Sequence, residues 1–412
     1  MPHRFSLAFI TFTLVIDSMG FGLIMPVLPD LITALSDRSM GEAAIWGGII
    51  VASFAGMRFL TGPLLGSLSD RFGRRPVLVG SMSLLAVNYA IMALAGSLWV
   101  LLVGRIIGGM TSASQTTGTA FITDISTEET KAKRFGLVGA ALGVGFVLGP
   151  ILGGLLSEFG IRAPFIAAAV LAGANALFGL LVLPESLAPA NRRAFSWARS
   201  NPLGALRSVT KLRGTGAMLT FSFALSLAGM AYAVIWPFWG AETFGWSTRM
   251  ISFTLAVYGI SLALMQGLVI RPILDRLGET RTVILGATAS LAAFLALPFI
   301  TNGWIVVLFI PLGAFATIAT PALTAQLSAR TDKDAQGELQ GVIGSLYALA
   351  MVIAPLLMSV IFARFTATGA SIYMPGAPYV VAALLVALAF PLYVIGIRKT
   401  EIPKLAAQPQ AT

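Results

Sequence analysis

Apolar runs of about 20 residues recur along this chain, separated by short polar intervals. A run of that length crosses the roughly 30 Å hydrocarbon core of a bilayer as one α-helix. The pattern predicts an all-α membrane protein with twelve transmembrane helices, and the even number places both termini on one side of the membrane. The predicted spans are residues 5–28, 43–67, 77–96, 98–122, 135–157, 163–183, 216–239, 250–270, 282–300, 304–327, 338–362 and 378–397.

A long polar interval, residues 184–215, divides the spans into two sets of six, and its Pro and basic residues are typical of a linker. The segment Asp70-Arg71-Phe72-Gly73 recurs as Asp275-Arg276-Leu277-Gly278, and Pro150 recurs as Pro355 at the same spacing. Duplicated halves of this kind build transporters that hold substrate between them. We therefore predict two pseudo-symmetric six-helix bundles, 1–183 and 216–400, joined by a cytoplasmic linker and followed by a tail, 401–412.

The basic residues predict the orientation. Most Lys and Arg residues of the loops fall on the side of the termini, whereas Arg38, Arg162, Arg249 and Arg364 fall on the other side. Since basic loops stay on the cytoplasmic side, both termini are predicted to be cytoplasmic. The same loops account for the net charge of +10, so we expect no nucleic-acid partner.

Composition narrows the possible chemistry. The chain is 57% hydrophobic and 11% charged, with no Cys and one His, which argues against disulfides, thiolate metal sites and histidine clusters. It has no nucleotide-binding loop and no Ser/His/Asp set. We expect no enzyme activity, no metal and no cofactor, with a proton gradient as the energy source.

Four segments resemble motifs of the major facilitator superfamily. They are 17–29 in the first span, 66–76 between spans two and three, 105–109 in span four and 143–154 in span five. The loop 66–76 is similar to the signature of the superfamily, and 105–109 and 143–154 are similar to motifs of drug:proton antiporters. The segment 17–29 resembles the first span of the tetracycline exporters. The resemblance covers nearly the whole chain and implies the twelve-helix fold and proton-coupled export.

Charged residues inside the spans point to proton coupling, because a charge in the bilayer is costly and is usually functional. Asp17 lies about 12 residues into the first helix, roughly 18 Å deep. Arg58 is expected at a similar depth and can pair with Asp17, whereas the resemblance favours Arg105 as the partner. The sequence does not choose between the two arginines, and all three residues are predicted to form the proton-coupling site.

The substrate is predicted to bind between the halves in a mostly apolar pocket with few polar groups. Half of the aromatic cluster of span seven is expected to form an interfacial belt and the rest to line this pocket. The predicted substrate-binding residues are Asn88, Gln115, Tyr232, Trp236, Gln266 and Gln326. Tetracycline exporters have acids or a histidine where this chain has Asn88, Leu262 and Ser290, so the resemblance implies fold and direction more strongly than substrate.

Two further residue sets follow from the resemblance. Gly66, Asp70, Arg71, Gly73, Arg74 and Asp124 are expected to form a conformational latch. In it, Asp70 would face the start of span eleven near 337–340, and Arg74 would pair with Asp124, holding the outward-open state. Gly145, Gly149, Pro150, Gly153 and Gly154 are expected to act as a hinge or seal between the halves, since glycines allow close helix approach and proline bends a helix.

The sequence therefore predicts a multi-pass antiporter of the bacterial inner membrane that exports a hydrophobic or amphiphilic small molecule in exchange for protons, by alternating access. A tetracycline is one candidate substrate. The expected partners are this substrate, protons and membrane lipids, and the chain is expected to be a monomer. The alternative is a carrier of the same fold for a metabolite, possibly an organic anion bound by Arg58 and Arg105.

Overall fold

A computed structural model describes residues 2–112, 114–197 and 214–406, together with 201, 204 and 212. The described part of the chain forms fifteen α-helices and no strand. In chain order they are α1 (Pro2–Ile24), α2 (Leu28–Ser36), α3 (Met40–Phe72), α4 (Arg74–Leu94), α5 (Leu98–Met110), α6 (Ser114–Ile125), α7 (Glu128–Ser157), α8 (Ala163–Val182), α9 (Gly216–Phe244), α10 (Thr248–Leu264), α11 (Ile270–Ala296), α12 (Gly303–Ala316), α13 (Ala319–Ala329), α14 (Gln336–Thr366) and α15 (Ala377–Ala406).

Ten helical stretches in this part of the chain are long and apolar enough to cross a bilayer. One of them, 248–299, covers the eighth and ninth predicted spans, because α10 runs into α11 through a π-helical turn, Met265–Val269. The fourth predicted span is split into α5 and α6, each too short to cross alone. Counting these, the twelve predicted spans are confirmed, in the two-bundle arrangement that the repeat predicts.

Several predicted bounds were wrong where proline or a helix break intervenes. The first span ends at Ile24 rather than 28, and a separate short helix, α2, starts beside Pro29, since the first turn of a helix needs no backbone N–H from proline. The tenth span is split at Thr317 and Ile318, at the place that corresponds to the break between α5 and α6. Neither break was predicted. The apolar run continues through the second one, and residues 111–119, although mostly polar, were counted within the fourth span.

The duplicated Asp-Arg-x-Gly segments adopt the same backbone turn. Gly73 has φ 108° and ψ 161°, and Gly278 has φ 70° and ψ 172°. This region is accessible essentially only to glycine. Both copies of the repeat thus have glycine at the turn between two consecutive spans, where the φ and ψ values require it.

The two bundles meet mainly along two helix pairs, α3 with α14 and α7 with α10, and α9 makes smaller contacts with α2 and α3. We call the side of the protein that has the turns at Gly73 and Gly278 the terminal face, and the other side the opposite face. Near the opposite face the pairs are tight: a Cβ at Gly48 would lie 2.6 Å from the Pro355 carbonyl oxygen. Near the terminal face a Cβ at Gly66 or at Gly337 would meet nothing within 4 Å. The bundles therefore diverge towards the terminal face.

Candidate functional site: a central cavity with one carboxylate

The divergence leaves a cavity of about 1190 Å³ between the bundles. Its lining extends from Trp236 and Met25 to Gly66 and Gln340 at the terminal ends of α3 and α14. Two described linker residues, Asn201 and Gly204, also line it. The cavity is therefore open to the terminal face and closed at the opposite face.

Among the residues that the structure describes, Asp17 provides the single carboxylate in the wall of this cavity. Its Oδ2 lies 4.0 Å from Nη2 of Arg58, and the same nitrogen donates to Oε1 of Gln115 at 2.6 Å. The Asp17 side chain is only 6% exposed, whereas Arg58 is 33% exposed. The structure thus brings together Asp17, Arg58 and Gln115, the last of which was predicted to bind substrate. Of the two arginines that the sequence left open, Arg58 is the neighbour of Asp17.

Arg105, the partner that the resemblance favoured, lies elsewhere. It is 2% exposed and its guanidinium carbon lies 4.0 Å from the centroid of the Phe54 ring, a cation–π contact. Its Nε has no hydrogen-bond partner among the described residues. The reason is that Arg105 occupies the side of α5 that packs on α3, so it does not reach the cavity wall.

Three predicted substrate residues do not line the cavity, which corrects their assignment. Asn88 is fully buried beneath α5, where a Cβ at Gly108 would lie 2.9 Å from its amide. Gln326 donates to Thr280 at 2.8 Å and accepts from the Tyr393 hydroxyl at 3.0 Å. Gln266 is exposed in the π-helical turn. A long or amide-bearing side chain inside a span did not by itself indicate which face of its helix it occupies.

The C-terminal half forms an aromatic wall. Trp236 donates its Nε1–H to Thr254 at 2.9 Å and packs 5.9 Å from the Tyr232 ring centroid. Tyr232 stacks 6.2 Å from Tyr258. Phe238 and Trp239 are almost fully buried in protein, so the expectation that part of this cluster faces the membrane interface was wrong for them, whereas Trp236 lines the cavity.

Sequence reasoning missed Tyr258 and Tyr347, which also line the cavity. A signal was present in the spacing. Leu255, Tyr258 and Leu262 recur at three and four residues along α10 and share one face, which is the cavity face. Reading the polar and aromatic members of that face, rather than amides alone, would have found Tyr258.

The latch residues form a compact charged cluster at the terminal face. Arg74 Nη1 lies 2.5 Å from Asp70 Oδ1, and its Nε lies 3.2 Å from Asp124 Oδ2. The Arg74–Asp124 pair is therefore present while the cavity is open to this face, whereas it was expected to hold the opposite conformation. Asp70 bonds to Arg74 instead of the start of α14, because α3 and α14 have separated there.

The loop also has a partner that the sequence did not predict. Glu185 accepts from the backbone N–H of Arg74 at 2.8 Å and of Arg75 at 3.3 Å, and so caps the start of α4. Arg71 is exposed and lies over its neighbour Phe72 at 5.1 Å. Glu185 lies just after α8, so the first linker residues fix the turn at Gly73.

The glycine motif of α7 mainly seats α1. A Cβ at Gly145, Gly149 or Gly153 would lie 2.4, 2.4 or 2.7 Å from backbone oxygens of α1. Gly154 alone faces the other half, where a Cβ would lie 2.5 Å from Ser252 Oγ. Pro150 packs on Gly22 of α1. The expected hinge or seal between halves is thus, at three of its glycines, a seam within the N-terminal half.

The chain is similar to known proteins along most of its length. The sequence profile described as Major Facilitator Superfamily matches residues 10–226 and again residues 219–409. The chain is 39% identical over 382 residues to the class C tetracycline resistance protein of Escherichia coli, covering 91% of this chain and 96% of that protein. It is 39% identical to the class G tetracycline resistance protein of Vibrio anguillarum, covering 83% and 86%.

A solved structure supports the fold. The crystal structure of the human organic anion transporter MFSD10 (TETRAN) superposes with a TM-score of 0.67, at 23% identity, over 95% of this chain and 99% of that chain. At this identity the likeness concerns the fold alone.

Proposed function

Because this chain belongs to the major facilitator superfamily, we infer that it is a proton-coupled exporter of hydrophobic or amphiphilic small molecules that works by alternating access. The observation that supports this most is the position of Asp17. It is one carboxylate, beside one guanidinium, in the wall of a large aromatic cavity that opens to a single face. Binding sites for amphiphilic molecules have this composition, and an intramembrane carboxylate can take up and release a proton.

In the proposed cycle the terminal face is cytoplasmic, in line with the basic loops. A substrate enters the open cavity and packs on Tyr232 and Trp236 of the C-terminal half. A proton on Asp17 leaves when substrate binds, and the Arg58 cation, 4.0 Å away, stabilises the resulting carboxylate. The bundles then rock to open the opposite face, where substrate leaves and Asp17 takes up a proton.

The tetracyclines are the first candidate substrates, since the two relatives described above are tetracycline resistance proteins. The proposal also includes location in the inner membrane of a bacterium, function as a monomer among membrane lipids, and the proton gradient as the energy source without a cofactor. The latch cluster and the α7 glycines would control the two conformations.

The test is substrate-dependent proton release from acidified everted vesicles. We expect tetracyclines or other amphiphiles to drive proton efflux with the wild type and no measurable efflux with Asp17→Asn. Asp37→Asn, an exposed acid at the opposite face, is the matched control and should retain the signal. If instead an organic anion is transported and Arg58→Gln abolishes that transport while Asp17→Asn does not, the metabolite carrier is correct and the exporter is not.

A further inference from the structure

The first turns of α10 are held by the N-terminal half at three points on the opposite face. Thr248 donates its hydroxyl to the Asp30 carboxylate. Arg249 Nη1 lies 3.1 Å from Glu158 Oε1. Ser252, one turn further along, packs against Gly154 of α7. We call the two carboxylates and the two residues that they bind, Asp30, Glu158, Thr248 and Arg249, the outer clamp.

The outer clamp depends on negative charge. Thr248 and Arg249 are the first residues of α10, and the start of a helix has a partial positive charge that favours carboxylates. Protonation of Asp30 or Glu158 would remove this attraction and the ionic part of the contacts to Thr248 and Arg249. Both carboxylates are solvent exposed, so protons of the surrounding solution reach them directly.

The second seam between the bundles at this face does not titrate. There, α3 packs on α14 through Gly41 against Ala363 and through Gly48 against Pro355 and Ser359. These contacts involve backbone, methyl and hydroxyl groups. Among the described residues, the outer clamp is where carboxylates join the two halves at the opposite face.

Other charged groups of this face make contacts that stay within one half. Arg38 pairs with Glu42 at 3.8 Å, and Arg162 donates to the Ala95 carbonyl at 2.9 Å. Glu242 accepts from the Tyr373 hydroxyl at 2.7 Å, and partial burial together with this bond raises the pKa of Tyr373 to about 12. The remaining charged residues of this face are Asp37 and Arg364.

We propose that Asp30 and Glu158 form a second proton-binding site, separate from Asp17, whose protonation releases the closure of the opposite face. This proposal rests on the proposed function, which places the terminal face in the cytoplasm. The opposite face is then in contact with the more acidic solution outside. A proton from that side first frees the start of α10, and the opening that follows gives protons access to Asp17. Acid outside thus favours the conformation in which Asp17 is loaded.

The test measures distances across the opposite face by pulsed electron paramagnetic resonance. The chain has no native Cys, so Gly96→Cys and Thr368→Cys place one spin label on each half, at exposed positions. We expect a single short distance at about pH 7.5 and an added longer distance at about pH 4.5, where carboxylates take up protons. With Asp30→Asn and Glu158→Gln the longer distance should be populated at both pH values, at least about tenfold above wild type at the higher pH.

Two controls isolate the site. Glu242→Gln, a carboxylate of the same face that binds within one half, should keep the wild-type pH dependence. Asp17→Asn should also keep it, since the second site is separate. If the double variant is poorly folded, Thr248→Val retains both carboxylates and should produce a smaller shift in the same direction.

The proposal is wrong if the double variant retains the wild-type pH dependence, or if Asp17→Asn abolishes that dependence. No substrate is needed for the measurement. A failure of drug-driven proton release in vesicles would therefore refute the exporter and leave the distance result to decide the outer clamp independently.

Discussion

At the scale of single residues, the surroundings of a charged side chain depend on the helix face that it occupies. Arg58 and Arg105 are both intramembrane arginines, yet one lines an open cavity and the other is stacked on Phe54. At the terminal face, Arg74 binds two carboxylates and is 10% exposed, whereas Arg71 in the same motif is exposed. Residues of one type within one motif therefore have different energetic weight.

Replacing Arg74 with Ala should destabilise the protein by about 1–2 kcal/mol, because it removes the cation that Asp70 and Asp124 share, while both carboxylates stay partly hydrated. Arg71→Ala is the matched control and should change the free energy of unfolding by no more than about 0.5 kcal/mol. Thermal unfolding of the purified protein in detergent compares the two. Equal losses would mean that the cluster around Arg74 contributes no more than surface charge.

At the scale of helices, glycines determine which helices can pack in backbone contact. In α7 the glycines that face α1 allow backbone contact, while Gly143, in the same motif, faces open space. The glycines of one motif thus have different surroundings, and only the packing shows which of them contact another helix.

Gly149→Ala should push α1 away from α7, because the new Cβ would lie 2.4 Å from the Met19 carbonyl oxygen and backbone cannot yield easily. We expect a loss of about 1–3 kcal/mol in stability and a clear loss of transport. Gly143→Ala adds the same methyl group in open space and should be tolerated in both assays. Tolerance of Gly149→Ala would contradict the close packing described here.

The two related turns allow a second comparison. Gly73→Ala and Gly278→Ala both place a side chain in a region of φ and ψ that is nearly restricted to glycine, at a cost of about 1–3 kcal/mol. At Gly73 the Cβ would also lie 2.1 Å from Glu185 Oε2, whereas at Gly278 it meets nothing. Gly73→Ala should therefore lower the melting temperature more than Gly278→Ala. The reverse order would show that Glu185 does not fix this turn.

Most elements could be predicted from the sequence, because a bilayer demands long apolar helices and proline and glycine mark some of their ends. The break near Thr317 could not, since the apolar run continues through it, whereas the polar stretch 111–119 was a signal of the break near Thr111 that was not used. Asp17, Arg58 and Gln115 were predicted because polar groups in a span stand out. Tyr258 and Tyr347 were missed because an aromatic residue in an apolar helix resembles core, and only the packing of α10 and α14 places them in the cavity.

At the scale of the whole molecule, the cavity opens to one face only. The chain lacks Cys, so single reporters can map this opening without a background. Position 344 lines the cavity with room for a side chain, and Ala44 is fully buried in α3 towards the opposite face.

A cysteine at Gly344 should react with a membrane-impermeant thiol reagent in everted vesicles, and one at Ala44 should not. In intact cells, where the reagent meets the opposite face, the cysteine at position 344 should be protected. Rapid labelling in cells and protection in everted vesicles would reverse the proposed orientation of the termini.

The seam between α1 and α7 also has a mechanical consequence. Three glycines hold the backbones of these helices in close contact. Asp17 in α1 and Glu158 at the end of α7 therefore belong to one rigid unit. A movement of α7 at Glu158, where it contacts α10, would therefore shift α1 at the depth of Asp17 through these backbone contacts. A substitution that separates α1 from α7 would remove this connection. The bundles could then still move and Asp17 could still bind a proton, but the two events would no longer be coupled.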